Sequence, residues 1–253
     1  MTRARFDGKV AVVVGGRGGM GEAVSRQLHA EGAIVHVADI SPPLPAEERI
    51  SHSHVDVTVA ESVTTLFDEV RNQSGDPEVV VFLAGAFEAR PFLDSEDELF
   101  ARLYAVNTFG GARIVREAGR RMSARRGGAI VVVASQSARV CRIGQAAYGS
   151  SKAALAYLTK VAGLELAPAG VRCNLVLPGV TETPMARAVW ASGAGSAEAH
   201  IRGDLTRFRA PIPLGRVATP DDVAAAVLFL ASDDARQITM TEMLVDGGSS
   251  LIA

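Results

Sequence analysis

Residues Lys9 to Val14 form a short β-branched run that leads directly into Gly15-Gly16-Arg17-Gly18-Gly19-Met20-Gly21, followed by an amphipathic stretch from Glu22 to Glu31. The order is strand, glycine-rich turn, helix. Glycines allow a close backbone approach, and the helix that follows offers free N–H groups and a positive dipole end to an anion. At this place in a strand–turn–helix unit the turn fits a pyrophosphate, with Gly15, Arg17, Gly18, Gly19 and Met20 as its contacts.

The next run, Ala33 to Ala38, reads as a second strand and ends in Asp39, eighteen residues beyond Gly21. A carboxylate there accepts hydrogen bonds from both hydroxyls of an adenosine ribose and repels a 2′-phosphate. NAD is therefore expected over NADP, although Arg17 argues mildly the other way. Ser41 to Glu48, with three prolines, reads as a surface connection. Ser53 to Val57 reads as the third strand, with Asp56 placed to meet the adenine amino group and Val57 beside it. Ala60 to Gln73 reads as a helix and Val79 to Leu83 as the fourth strand, closed by Ala84-Gly85, a small-residue turn on which cofactor ribose can lie.

Ser95, with Glu98 three residues later, has the pattern of a capping box that opens a long helix. Asn107 falls inside that helix, where asparagine is unfavourable and invites a reason. Ala129 to Ala134 and Val171 to Leu177 read as further strands, and Glu242 to Asp246 as the last. A helix opens at Thr219-Pro220-Asp221-Asp222 and runs to Ala231. Pro184 to Pro213 has the composition of a mobile lid. This alternation predicts a single α/β domain over residues 1–253: a Rossmann-type, doubly wound parallel sheet of about seven strands with helices on both faces.

Composition agrees. The chain has 253 residues, 48% of them hydrophobic, with few aromatics and a net charge of −2. That balance gives no support for nucleic-acid or anionic-membrane partners. No segment reaches the ~18 apolar residues of a membrane span, and no apolar signal region precedes the first strand, so a cytoplasmic location is expected. Cys141 and Cys173 stand apart, His52 and His54 lack acidic or cysteine partners, and no metal site is expected.

The chemistry gathers around Tyr148-Gly149-Ser150-Ser151-Lys152. A helix from Ala146 to Pro168 puts Tyr148 and Lys152, four apart, on one face. A cation beside a phenol favours phenolate, which can exchange a proton with an alcohol or ketone. Ser135, thirteen residues before the tyrosine, lies at a strand end that reaches it, and Pro178-Gly179 closes the next strand at the same edge.

These residues resemble the classical short-chain dehydrogenase/reductase family over essentially the whole chain: Gly15, Gly19 and Gly21 in the loop, the tetrad Asn107, Ser135, Tyr148 and Lys152, and Pro178-Gly179 with Thr183. The resemblance implies that Tyr148 is the acid/base and that Ser135 hydrogen-bonds the reacting oxygen. It also implies that Lys152 holds the nicotinamide ribose and lowers the tyrosine pKa, and that Asn107 anchors a water linking Lys152 to solvent. Pro178, Gly179, Val180 and Thr183 are then cofactor contacts. The family's usual threonine before the loop is Val14 here, and its usual Asn-Asn-Ala-Gly is Phe82-Leu83-Ala84-Gly85. Losing both polar partners together leaves no buried group stranded.

Arg142-Ile143-Gly144 and Ile201-Arg202-Gly203 are most similar to the branch acting on 2,3-dihydro-2,3-dihydroxybenzoate and trans-2,3-dihydro-3-hydroxyanthranilate in siderophore and antibiotic pathways. That branch implies a carboxylated cyclohexadiene substrate. Arg142 is the candidate for its carboxylate, with Gln136, Gln145 and Met185 as further lining residues. The resemblance further implies a homotetramer. A general ketoreductase, such as an acyl-chain reductase, and a non-catalytic NAD-binding module are the competing readings; Asp39 speaks against the first and the filled tetrad against the second.

Overall fold

The computed structural model describes residues 4–191, 193 and 195–250. Its centre is a seven-stranded parallel sheet in the order β3-β2-β1-β4-β5-β6-β7. The strands are β1 (Val10–Val14), β2 (Ile34–Asp39), β3 (Ile50–His54), β4 (Val79–Phe82), β5 (Gly128–Val133), β6 (Val171–Pro178) and β7 (Glu242–Val245). β1, β4 and most of β5 are buried on both faces, which is why they read as unbroken apolar runs.

Alternation along β1 sorts its residues between two cores. Val10, Val12 and Val14 pack with α2 (Ala60–Ser74), α4 (Gly111–Arg125) and α5 (Ala146–Leu166), whereas Ala11 and Val13 pack with α1 (Gly19–Ala30) and α8 (Pro220–Ala231). The strand order reverses between β1 and β4, and a crevice opens there beyond their carboxyl ends.

Four local expectations change. β3 begins at Ile50, after Arg49 in a left-handed turn (φ 59°), and pairs Val35↔Ile50 through Asp39↔His54, so Asp56 and Val57 lie in the loop beyond it. Ser95 is not a cap: its hydroxyl donates to the Pro91 carbonyl at 2.9 Å, and the N-cap of α3 (Asp97–Leu103) is Glu96. The long helix is three pieces, because residues Tyr104–Gly110 form a π-helical segment between α3 and α4. Finally, the lid region contains two helices, α6 (Pro184–Ala191) and α7 (Ala197–Arg202), so it is more regular than its glycines suggest. Ser196 caps α7 by accepting from the Ala199 amide at 3.0 Å.

Other expectations hold. Thr219 and Asp222 form a reciprocal capping box at the start of α8. The two departures at the cofactor end also meet: Val14 and Phe82 are register partners in neighbouring strands, both fully buried in one core. An apolar contact stands where a polar pair would have needed mutual satisfaction.

The position of α5 depends on a close approach at Gly111. A Cβ there would lie 2.5 Å from Leu155 Cδ1 and 3.0 Å from Phe82 Cε1. Gly111→Val is expected to cost about 1–3 kcal/mol by overpacking, read as a lower urea midpoint with unchanged slope. An unchanged midpoint would mean that α5 is not seated by this contact.

Candidate active site

The π-helical segment explains the asparagine. Asn107 is completely buried; its Oδ1 accepts from the Ala86 amide at 2.8 Å, and its Nδ2 donates to the Ala86 carbonyl at 3.0 Å and to Ser151 Oγ at 2.9 Å. Ser151 Oγ in turn donates to the Tyr148 carbonyl at 2.7 Å. One side chain therefore ties the turn after β4 to the first turns of α5, the helix carrying Tyr148 and Lys152. Wide π turns recur at functional sites because they re-aim a side chain that a regular turn would direct elsewhere.

Ser135 follows the end of β5 as the cap of a short 3₁₀ turn, its hydroxyl accepting from the Ser137 amide at 3.1 Å. Ser135 also favours the ionised form of the Tyr148 phenol. Burial acts in the opposite direction and more strongly, so the phenol is raised above its ordinary value. Phe87 packs edge-on against the Tyr148 ring, with centroids 4.9 Å apart, and supplies part of that desolvation.

Lys152 is 4% exposed, and burial pushes its ammonium down to about 8. Its Nζ donates to the Val133 carbonyl at 3.4 Å. Lys152 faces a strand carbonyl and is itself desolvated, while Ser135 acts on the Tyr148 phenol in the direction of ionisation. A Cβ on Gly85 would lie 3.2 Å from both Lys152 Nζ and Asn107 Oδ1, so glycine at that position keeps the turn flush against the catalytic groups.

Beside this cluster is a cavity of about 490 Å³ lined by Gly15, Arg17, Gly18, Gly19, Met20, Asp39, Asp56, Val57, Ala84, Gly85 and Thr183. Val55, Thr58, Leu83 and Val106 also line it; these apolar or small residues carry no signal of their own in the sequence. The first turn of α1 has no side-chain cap, so its amides remain available to an anion. The closeness of the loop is enforced by packing: a Cβ on Gly21 would lie 2.2 Å from the Gly15 carbonyl oxygen. Asp39 is fixed by its own backbone, its two oxygens accepting from the Arg17 and Ser41 amides at 3.1 and 3.0 Å. Asp56 accepts from the Thr58 amide and hydroxyl, which hold it below the usual carboxylate range.

The remaining sequence candidates separate. Pro178 ends β6, and it and the following Gly179 and Val180 lie outside the lining of that cavity, with Gly179 packed on Asp246. Met185 lines the dinucleotide cavity and is not grouped with the other substrate candidates. Gln136 is buried, and its Oε1 accepts from Ser249 Oγ at 2.9 Å and Ser250 Oγ at 3.1 Å. Gln145 Oε1 accepts from Ser137 Oγ at 2.8 Å. Both oxygens are thus engaged internally, which their positions in the sequence could not reveal. Arg142 is half-buried on the loop between Ser135 and Tyr148. Among the described residues, no three His, Cys, Asp or Glu side chains cluster as a metal site.

A family model described as enoyl-(acyl carrier protein) reductase matches residues 14–250. The chain is 38% identical over 260 residues to the 2,3-dihydro-2,3-dihydroxybenzoate dehydrogenase of Bacillus subtilis, covering 99% of each. It is 39% identical over 249 residues to the Escherichia coli enzyme of that name, covering 97% of this chain and 98% of that one. The chain belongs to the short-chain dehydrogenase/reductase family. Among solved structures, the aldohexose dehydrogenase of Thermoplasma acidophilum superposes with a TM-score of 0.86 at 30% identity, over 99% of this chain and 97% of that one. ElxO with NADP bound superposes with a TM-score of 0.87 at 26% identity, over 96% and 99%. As a short-chain dehydrogenase, the chain takes a nicotinamide dinucleotide, and the uncapped α1 terminus, glycine loop and Asp39 fit that group.

Burial of Lys152 has a pH signature. Its folded value of about 8 lies below the 10.5 of a free lysine, so the unfolded state binds more protons between those values. Stability then rises with pH across that window, and the cost of the buried ammonium is fully present below pH 8. Lys152→Met is expected to abolish turnover, raise stability at pH 7 by up to about 3 kcal/mol and remove this part of the pH slope. Parallel urea curves of the variant and the parent between pH 7 and 10 would contradict it.

Proposed function

We propose that the chain oxidises the C3 hydroxyl of a carboxylated cyclohexadiene with NAD, after which the product aromatises. The substrate is 2,3-dihydro-2,3-dihydroxybenzoate or trans-2,3-dihydro-3-hydroxyanthranilate, and the setting is siderophore or antibiotic biosynthesis. The observation that carries this reading is Arg142, a half-buried guanidinium on the loop between Ser135 and Tyr148 with no carboxylate within ion-pair distance among the described residues. The names of the Bacillus and Escherichia relatives support the same substrate class.

In this mechanism Arg142 binds the carboxylate through paired hydrogen bonds and sets the ring over the cleft. Ser135 holds the C3 oxygen, and the ionised Tyr148 takes its proton. Lys152 binds the nicotinamide ribose and passes the proton outward beside Asn107. NAD⁺ held in the cavity lined by the glycine loop and Asp39 would supply the hydride acceptor. The resulting ketone tautomerises to a phenol, and gain of aromaticity draws the oxidation forward. Because burial raises the Tyr148 phenol, the rate of oxidation rises with pH above neutrality.

Asp39 supports NAD. Its fixed carboxylate repels a 2′-phosphate, and the Arg17 guanidinium that could offset it donates instead to the Pro42 carbonyl. The reading also includes a cytoplasmic homotetramer. Tyr157, Leu158, Val161 and Leu164 form an exposed apolar stripe on α5, which supports burial against another copy. Among the described residues, no helix is long and apolar enough to cross a membrane.

Absorbance of the reduced nicotinamide should appear with either dihydro acid, with NAD favoured over NADP by about 100-fold in kcat/KM. Arg142→Ala should raise KM for these acids by about 10–100-fold and change it little for neutral cyclic alcohols. Absence of turnover with both acids would overturn the reading. Light scattering should give four chain masses; a monomer at micromolar concentration would rule out the assembly.

A further inference from the structure

The lid returns towards the cleft through a tightly defined loop. Gly203 has φ +71°, and a Cβ there would lie 2.6 Å from the Pro211 nitrogen. Asp204 and Arg209 close an antiparallel bridge, with amide-to-carbonyl distances of 2.8 and 2.9 Å. Phe208, just before Arg209, takes a left-handed φ of 53°, a strained conformation for an aromatic residue. Beyond the loop, the Leu214 amide donates to the Gly247 carbonyl at 3.2 Å, anchoring the return to the end of the sheet.

This geometry brings Arg142 to the backbone of the residue before Arg209. Arg142 Nη1 donates to the Phe208 carbonyl at 3.4 Å, so the loop after β5 reaches the backbone beside Arg209. Both arginines are half-buried, and among the described residues neither side chain has an ion-pair partner within 4 Å. Arg142 is pushed down by burial and by repulsion from Arg209, offset only in part by Asp246. Arg209 is pushed down by burial and by Arg207, offset only in part by Asp204. Both acids are engaged elsewhere: Asp204 accepts from Thr206, and Asp246 from the Gly248 and Ser250 amides. Two desolvated cations from separate segments, with their nearest acids occupied, leave positive charge that an anion can neutralise.

We propose that Arg209 is the second arm of a clamp with Arg142, and that a substrate carboxylate bound between them holds the 203–213 segment in place against the loop after β5. The inference rests on the carboxylated substrate proposed above. It adds a residue from the lid: the like charges of the two arms disfavour each other until the carboxylate neutralises them.

The probe is salicylate, added with NAD. Trp190, the single tryptophan, lies on α6 with its ring centroid 6.1 Å from that of His200, so its fluorescence reports the lid. Saturable quenching or enhancement is expected in the parent, with Kd raised about 10–100-fold in Arg209→Ala and partly restored in Arg209→Lys. Salicylamide, which lacks the charge, should lose at least tenfold less. A double-mutant cycle with Arg142→Ala should show coupling between the arms. A Kd within twofold of the parent in Arg209→Ala, equal losses for salicylate and salicylamide, or additive effects in the cycle would each overturn the clamp. If the dihydro acids are oxidised but Arg209→Ala does not discriminate, the clamp alone fails. If the parent neither oxidises them nor binds salicylate, the substrate reading fails as well.

Discussion

An ammonium buried without a counter-charge is an expensive thing for a fold to hold, and the catalytic end of this sheet is arranged around one. Lys152 donates to the carbonyl of Val133, the last residue of β5, and lies under the Gly85 turn. Its titration at about 8 follows from that desolvation. Such an ammonium keeps its proton at neutral pH yet releases it readily, whereas the phenol four residues earlier holds its proton more tightly than a free tyrosine. Removal from water thus separates the two groups into a stronger acid and a weaker one on a single helix face.

Holding them there falls to groups that never touch a substrate. Asn107 ties the turn after β4 to α5, Gly111 lets α5 settle onto β4, and the sheet beneath is packed on both faces. The same logic applies at the dinucleotide end. Asp39, which lines the cavity, is held by two backbone amides. The Val14–Phe82 contact shows how a polar pair can be exchanged for an apolar one: both partners change, and they occupy paired positions in adjacent strands.

Local signals that combine period with spacing were legible in the chain alone. The β1–loop–α1 unit, the Tyr148–Lys152 pair and the Thr219 cap each declare themselves within a few residues. Ser95 misleads because its hydroxyl has a nearer acceptor in the preceding turn, at Pro91. β3 begins before the stretch that reads as most strand-like, since its start is set by pairing to β2 and not by its own composition. Gln136 and Gln145 sit where a substrate contact is expected, yet their oxygens are taken by serines, in the first case more than a hundred residues away in the chain.

By itself, then, the amino-acid order determined the alternating architecture, the glycine loop between β1 and α1 and the placing of Tyr148 and Lys152 on one helix, because periodicity, glycine placement and i,i+4 spacing are properties of neighbouring residues. Only the tertiary structure decided that burial raises the phenol, that Asn107 sits in a wide π turn, and that Arg142 from the loop after β5 reaches the Phe208 carbonyl. Those outcomes depend on desolvation and on contacts between distant segments. Both come into existence only when the sheet closes and the helices cover it.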